Sequence, residues 1–135
     1  MTLALLGPLL LALFGGHAVA DYGLQSAYVA EFKVRSERNP DWFVTLGAHC
    51  LIHAFMVLIT TGSAILAGRL LNGDSMAHAA MMAAAGASAL GWLEFACHFA
   101  IDDAKGQKRF SYRVDQALHY ACKIVWLGVC AIYIS

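Results

Sequence analysis

The stretch Gly16-His17-Ala18-Val19-Ala20-Asp21-Tyr22-Gly23-Leu24-Gln25 closes a long apolar run with evenly spaced polar residues. A second apolar run closes in the same way, at Cys97-His98-Phe99-Ala100-Ile101-Asp102. Both stretches read His-x-x-x-Asp, and residues four apart lie on one face of a helix. Each copy therefore places an imidazole beside a carboxylate at the end of a hydrophobic helix. Because ionisable side chains are costly in lipid, such a pair indicates burial against other polar groups.

The composition is that of an integral membrane protein. Of the 135 residues, 60% are apolar and 13% are charged, whereas soluble domains have roughly 45–50% and about 25%. The mean hydropathy is +0.62. Nine basic and nine acidic residues cancel, so the charge does not predict nucleic-acid binding. All four cysteines lie inside apolar runs, which favours packing over a disulfide framework.

Four apolar segments, at about residues 2–22, 42–71, 76–103 and 114–134, are near or above the ~20 residues that cross a bilayer. The first is expected to continue as helix to about Lys33. Signal-peptidase cleavage after Ala20 is the alternative for that segment, but no Lys or Arg precedes the run, and we expect it to be retained. Ser75 or Asp74 is expected to cap the third helix.

These segments predict an all-α membrane protein, a single domain of four transmembrane helices in an antiparallel up-down bundle. The two halves share a helix that ends in His-x-x-x-Asp and a following helix that opens with spaced polar residues, which suggests two repeated helical hairpins. Small residues on the third segment suit close helix contact and leave room for a homodimer, at Ala83, Ala87 and Gly91.

Basic residues predict the orientation of the helices. Seven flank the first and third connectors: Lys33, Arg35, Arg38, Lys105, Lys108, Arg109 and Arg113. The opposite side has only Arg69. Since cytoplasmic loops carry an excess of Lys and Arg, both of these connectors are predicted to be cytoplasmic and both termini to lie outside.

Every segment carries polar residues spaced four apart near its predicted cytoplasmic end. They are His17, Asp21 and Gln25 in the first, His49 and His53 in the second, Glu94, His98 and Asp102 in the third, and Asp115, His119 and Lys123 in the fourth. In an up-down bundle these ends meet, so the sequence predicts one shared cluster in the cytoplasmic half of the membrane. His78 lies at the other end and is expected to stand apart from it.

Imidazole and carboxylate together suit a divalent transition metal, above all Zn²⁺. The candidate ligands are His17, Asp21, His49, His53, His98, Asp102 and His119. Glu94 and Asp115 are the candidate catalytic carboxylates, with Glu94 either a general base or a partner that orients His98. Lys123 is expected to pair with Glu94, with contact to a substrate anion as the alternative, and Trp126 to be an anchor or a packing residue. The spacing matches no named zinc signature.

Four motifs together resemble a group of small bacterial and phage inner-membrane proteins, known as domain of unknown function number three-three-zero-seven. They are His17-x-x-x-Asp21-x-x-x-Gln25 followed by Lys33, the His49/His53 pair, His98-x-x-x-Asp102-x-x-Lys105, and Asp115-Gln116-x-x-His119. The resemblance covers essentially the whole chain. It implies a four-span, often phage-encoded protein of the bacterial inner membrane with a retained first segment. It implies no established reaction.

The leading functional hypothesis is a metal-dependent hydrolase that acts on a lipid or lipid-linked substrate from the cytoplasmic side. A non-enzymatic phage-type membrane protein that binds a host or virion partner is the first alternative. A proton or ion pathway is the second, because alternating histidines and carboxylates can relay protons.

Overall fold

The computed structural model describes residues 2–135, with side chains from residue 4 onward. The chain forms five α-helices: α1 Thr2–Ala18, α2 Ala27–Phe32, α3 Trp42–Leu71, α4 Met76–Gly106 and α5 Tyr112–Ile134. A π-helical turn, Val19–Gly23, extends α1. Four helical stretches are long and apolar enough to cross a membrane: Ala4–Gly23, α3, α4 and α5. The all-α prediction with four membrane-length helices is therefore confirmed.

The first helix does not continue to Lys33, so that part of the prediction is wrong. After the π-helical turn the helix stops, and Ser26 adopts extended backbone with ψ of 161°. Its hydroxyl accepts a hydrogen bond from the Val29 N–H and starts the short helix α2. A serine that satisfies a new helix N-terminus competes with continuation of the preceding helix.

Serine caps also set the starts of the last two helices. The Ser75 hydroxyl accepts from the His78 N–H at 3.3 Å and begins α4, as predicted. The Ser111 hydroxyl accepts from the Val114 N–H at 3.4 Å. Because that cap lies earlier than the sequence suggested, α5 begins at Tyr112.

The four long helices form a ring in which α3 packs against α1 and α4, and α5 packs against α4 and α1. The contact between α3 and α4 is the most extensive, and small residues make it possible. A Cβ at Gly91 would lie 3.3 Å from the Ala54 carbonyl oxygen, and one at Gly62 would lie 3.2 Å from the Ala87 Cβ. The predicted stripe of small residues on α4 is therefore used within the chain.

The interior of the bundle divides into an apolar half and a polar half. The apolar core includes Val57, Ile65, Leu90, Cys130 and Ile134. The polar half holds ionisable side chains that are about 1% exposed. The outer surface is apolar, with Leu11, Trp92 and Ile132 at least two-thirds exposed. Apolar side chains outside and paired polar ones inside are the arrangement that a bilayer environment favours.

Candidate metal centre

All four long helical stretches contribute side chains to one buried cluster. The first stretch provides His17 and, from the π-helical turn, Asp21; α3 provides His49 and His53; α4 provides Glu94, His98 and Asp102; and α5 provides Asp115, His119 and Lys123. The imidazoles pack with ring centroids as close as 3.7 Å, between His53 and His98. The sequence-predicted residues thus come together, with Gln25 lining an adjacent cavity.

Asp21 lies at the centre of one group of histidines. Its Oδ1 is 3.1 Å from His53 Nε2 and 3.4 Å from His49 Nε2, and its Oδ2 is 3.4 Å from His17 Nε2. Two ligand atoms bound tetrahedrally to one Zn²⁺ at about 2.0–2.1 Å lie about 3.4 Å apart. These separations match a ligand shell as well as direct hydrogen bonds such as the one between His53 Nε2 and Asp21 Oδ1. The π-helical turn carries Asp21, and such turns occur frequently at functional sites.

Asp102 lies at the centre of a second group. Its Oδ1 is 3.2 Å from His119 Nε2, while its Oδ2 is 3.6 Å from His49 Nε2 and 2.6 Å from Lys33 Nζ. Asp115 Oδ1 is 3.6 Å from His119 Nε2. His49 thus contacts both aspartate-centred groups and joins them into one cluster.

Three sets of side chains each offer ligand atoms that lie within 4.8 Å of one another: Asp21, His49, His53 and His98; His17, His98 and His119; and Asp102, Asp115 and His119. Several of their buried atoms have no hydrogen-bond partner: His17 Nε2, both ring nitrogens of His49, His98 Nε2 and Asp115 Oδ1. Buried polar atoms are normally satisfied. A divalent cation on the first set would satisfy one ring nitrogen of His49 and His98 Nε2, so the residues present fit one.

Glu94 lies one turn deeper, and both of its carboxylate oxygens are engaged. Oε1 accepts from Lys123 and is 3.1 Å from His98 Nδ1, while Oε2 accepts from Trp126 Nε1 at 2.7 Å. The predicted ion pair with Lys123 is confirmed. A carboxylate on Nδ1 fixes the orientation of His98 and leaves Nε2 for a metal ion.

A polar cavity of about 160 Å³ adjoins the cluster. Its lining includes the three aspartates Asp21, Asp102 and Asp115, the two lysines Lys33 and Lys105, and the amides and phenols of Gln25, Gln116, Tyr22 and Tyr112. The two phenols hydrogen-bond to each other, and Lys105 Nζ is 3.7 Å from Asp115 Oδ2. The cavity gives a polar molecule a place beside the candidate ligands.

A comparison with protein families gives a match over residues 9–134, to the model described as "Protein of unknown function (DUF3307)". The chain belongs to the DUF3307 family. The predicted resemblance is thereby confirmed over nearly the whole chain. No curated protein and no solved structure matches the chain.

Sequence reasoning missed three contributors to this DUF3307 site. It used Lys33 and Lys105 for helix orientation and as parts of the family motifs but gave them no place in the cluster, although each pairs with a cluster aspartate. It treated Trp126 as an anchor or a packing residue, whereas the indole is buried and donates to Glu94. A signal existed for two of them: Lys105 follows Asp102 by three residues and Trp126 follows Lys123 by three residues, each on the same helix face as the residue it follows.

His78 stands apart from the cluster, as predicted. It lies in the first turn of α4, where its Nε2 is 2.9 Å from Arg69 Nη2 and 3.8 Å from Asp74 Oδ2. Its side chain is 44% exposed. His78 therefore provides a control histidine on the same helix as His98.

Proposed function

We propose that this DUF3307 protein is a membrane-embedded, metal-dependent hydrolase that acts on a lipid-linked phosphoester. The observation that supports the proposal is the buried cluster of five histidines and three aspartates beside a polar cavity. Several ionisable groups within membrane-length helices are costly unless they serve one another or a ligand. Of the described residues, all four long helical stretches contribute to the cluster.

The set Asp21, His49, His53 and His98 is the proposed metal site. Three imidazoles and one carboxylate are a donor set that suits Zn²⁺. A divalent cation supplies Lewis acidity that activates water and polarises the phosphoryl group. In the hydrolysis, the water oxygen bonds to phosphorus, the bond from phosphorus to the lipid oxygen breaks, and the water's two protons end on the released alcohol and on the phosphate or a site carboxylate.

With cations bound to its aspartates, the cavity would favour a phosphate over an uncharged ester. Lys33 and Lys105 line it beside Asp21, Asp102 and Asp115, so metal ions on the carboxylates would leave the two ammonium groups to suit phosphate oxygens. A cavity of about 160 Å³ holds a headgroup but not an acyl chain, so the lipid tail would remain in the membrane. The substrate class is therefore a phosphate carried on a lipid.

The two candidate catalytic carboxylates take different roles in this proposal. Glu94 is engaged by three donors on two oxygens and acts as a positioning residue for His98. Asp115 lines the cavity, and its Oδ1 has no hydrogen-bond partner. Asp115 is therefore the carboxylate that is available to the substrate side of the site.

A proton path across the membrane has less support. The polar contacts run from the cavity through His98 to Glu94, Lys123 and Trp126. Beyond them the buried side chains are apolar, with Ile65, Cys130 and Ile134 fully buried, except for Thr61, whose hydroxyl donates to the Val57 carbonyl oxygen of its own helix. A relay needs polar groups or water on both sides, and the contacts of this cluster reach only one end of the bundle.

The proposal places the protein in the bacterial inner membrane as a multi-pass protein, with its termini in the periplasm. The connector between α2 and α3 and the connector between α4 and α5 would be cytoplasmic, so the cavity would open to the cytoplasmic leaflet. The excess of Lys and Arg at that end supports this placement. A lipid-linked substrate would then enter from that leaflet.

Elemental analysis and hydrolysis assays of the purified protein in detergent test the proposal. Phosphatidic acid and farnesyl monophosphate in mixed micelles serve as probes for phosphate release. We expect bound metal and phosphate release that chelation abolishes. Replacing His53 and His98 together with alanine should remove both, whereas His78→Ala should leave both unchanged.

Two results would count against the hydrolase. A folded wild-type protein without stoichiometric metal would remove the basis of the mechanism. Bound metal without phosphate release from either probe would favour the alternative, a non-enzymatic phage-type module in which the cluster holds the bundle together for a host or virion partner.

A further inference from the structure

We infer that the site binds two divalent cations, the second of them on Asp102, Asp115 and His119. The inference rests on the proposed function, because the first cation is the one already placed on Asp21, His49, His53 and His98. Beyond that function, the centre would hold two ions, with Asp21 on the first and Asp102 and Asp115 on the second.

The number of ligands exceeds what one ion uses. Five buried histidines and three aspartates lie within one cluster. A catalytic Zn²⁺ commonly takes three protein ligands and a structural one takes four. One ion would therefore leave about half of these side chains unused in the interior of a membrane protein.

Of the three sets of candidate ligands, two share no residue, while the third, His17, His98 and His119, overlaps both. One set is Asp21, His49, His53 and His98, and the other is Asp102, Asp115 and His119. The division follows the chain: α5 contributes only to the second set, and α3 only to the first. In the first set, only His98, on α4, comes from the second half of the chain.

The second set has an unsatisfied buried atom that points to a ligand. Asp115 is 1% exposed, and its Oδ1 has no hydrogen-bond partner although it lies 3.6 Å from His119 Nε2. Asp102 Oδ1 lies 3.2 Å from the same nitrogen. These separations resemble those around Asp21, so the second set has the spacing of a ligand shell as well.

The two sets adjoin each other and the cavity. His49 Nε2 lies 3.4 Å from Asp21 Oδ1 and 3.6 Å from Asp102 Oδ2. In two-metal hydrolases a pair of adjacent ions clamps the attacking and leaving oxygens of a phosphoryl group. Because Asp102 and Asp115 line the cavity, the second cation would face the phosphate of the substrate.

The two sets differ in chemistry, which makes the cations distinguishable. The first is rich in imidazole, which suits Zn²⁺, whereas the second has two carboxylates and one imidazole, a harder set that suits Mn²⁺ or Mg²⁺. The competing explanation is that Lys33 and Lys105 are the permanent counter-charges of Asp102 and Asp115. In that case the chain would bind one ion.

Metal stoichiometry of the full chain in detergent tests the inference without an activity assay. Protein stripped with a chelator is titrated with Zn²⁺ and then with Mn²⁺, and the bound metal is measured by mass spectrometry after desalting. We expect two ions per wild-type chain. Asp115→Asn should bind one ion and keep the Zn²⁺, and His53→Gln should retain the Mn²⁺ site.

The controls separate loss of a site from loss of the fold. His78→Gln changes a histidine outside the cluster and should bind two ions. Circular dichroism and size exclusion verify that each variant is folded, and His119→Gln replaces Asp115→Asn if the latter is not. One ion in the wild type, or two in folded Asp115→Asn, overturns this inference and leaves the first metal site intact. No ion in the folded wild type overturns the proposed function as well.

Discussion

Lys123 and Glu94 form a buried ion pair at the inner end of the polar cluster. Both side chains are about 1% exposed, and the ammonium group contacts Glu94 Oε1. The remaining carboxylate oxygen accepts from Trp126, and His98 approaches from the side of the metal centre. A buried ion pair is a modest source of net stability, but removing one partner leaves an uncompensated charge.

Lys123→Met should therefore destabilise the fold strongly, by ~3–5 kcal/mol. Because methionine fills similar space, the loss of stability would come from the Glu94 carboxylate, which keeps the hydrogen bond from Trp126 but loses its positively charged partner. Thermal unfolding in detergent, followed by circular dichroism, measures the change. The double variant Glu94→Gln/Lys123→Met removes both charges and should recover part of the stability; a double variant no more stable than Lys123→Met would contradict the pairing argument.

Lys33 offers a prediction about the substrate. Its Nζ is 2.6 Å from Asp102 Oδ2, and it lines the polar cavity. A hydrogen bond to a charged group contributes ~1.5–3 kcal/mol, so Lys33→Gln should raise KM for phosphatidic acid at least about tenfold. Arg38→Gln, an exposed substitution in the same connector, is the matched control. Unchanged KM in folded Lys33→Gln would argue against a phosphate in the cavity.

At the scale of residues, the sequence predicted membership of the cluster well. Spacing of four places His98 and Asp102 on one helix face wherever the helix lies, and the ends of the runs give their depth. The sequence predicted Lys123 as a partner of Glu94 but not the indole of Trp126, which occupies the second carboxylate oxygen from another helix. Such partners depend on how α4 and α5 are rotated relative to each other, and apolar periodicity does not determine that rotation.

At the scale of elements, glycines determine how closely the long helices approach. A Cβ at Gly86 in α4 would lie 2.8 Å from the Ile65 Cδ1 of α3 and 2.9 Å from the ring of Tyr133 in α5. Gly86 is thus the point at which three helices meet in the apolar half of the bundle. Small residues at such crossings let helices pack closely in a membrane, where the surrounding lipid removes the hydrophobic driving force for helix association.

Gly86→Ala should destabilise the bundle by ~1–3 kcal/mol, since overpacking forces the neighbouring side chains to move. The control is Gly128→Ala in α5, where nothing lies within 4 Å of the added Cβ. Alanine in that helix interior should be neutral or slightly stabilising. Unfolding temperatures of the two variants in the same detergent provide the test, and equal stability would show that α4 can shift at no cost.

The end of the first helix shows where sequence reasoning fails at this scale. The residues from Ala27 to Phe32 favour helix, and the prediction ran α1 through to Lys33. Ser26 instead caps a separate helix, and the π-helical turn before it carries Asp21. Both features depend on local backbone hydrogen bonds, which hydrophobic periodicity does not reveal. The consequence for the site is that Lys33 approaches Asp102 from a separate short helix and its connector.

At the scale of the whole molecule, the bundle is polar within one half and apolar over its outer surface. The four apolar runs made the number and approximate bounds of the long helices predictable, because each is near or above the length that crosses hydrocarbon. The meeting of all polar stripes at one end follows from up-down connection. Which polar atoms end within 3–4 Å of one another follows from packing, and only the structure gives those distances.

The distribution of charge predicts the orientation of the bundle in the membrane. Seven basic residues flank the connectors at the polar end, whereas the other end has only Arg69, whose guanidinium is paired with Asp74. Because cytoplasmic loops retain Lys and Arg, alkaline phosphatase fused after Ser135 should be active in the periplasm, and green fluorescent protein fused there should be dark. A fusion that replaces the chain after Gln107 lies in the connector before α5. There, alkaline phosphatase should be inactive and green fluorescent protein should be fluorescent. Fluorescence from the Ser135 fusion would place the polar cavity at the outer leaflet, and the lipid-linked substrate would then have to enter from the periplasmic side.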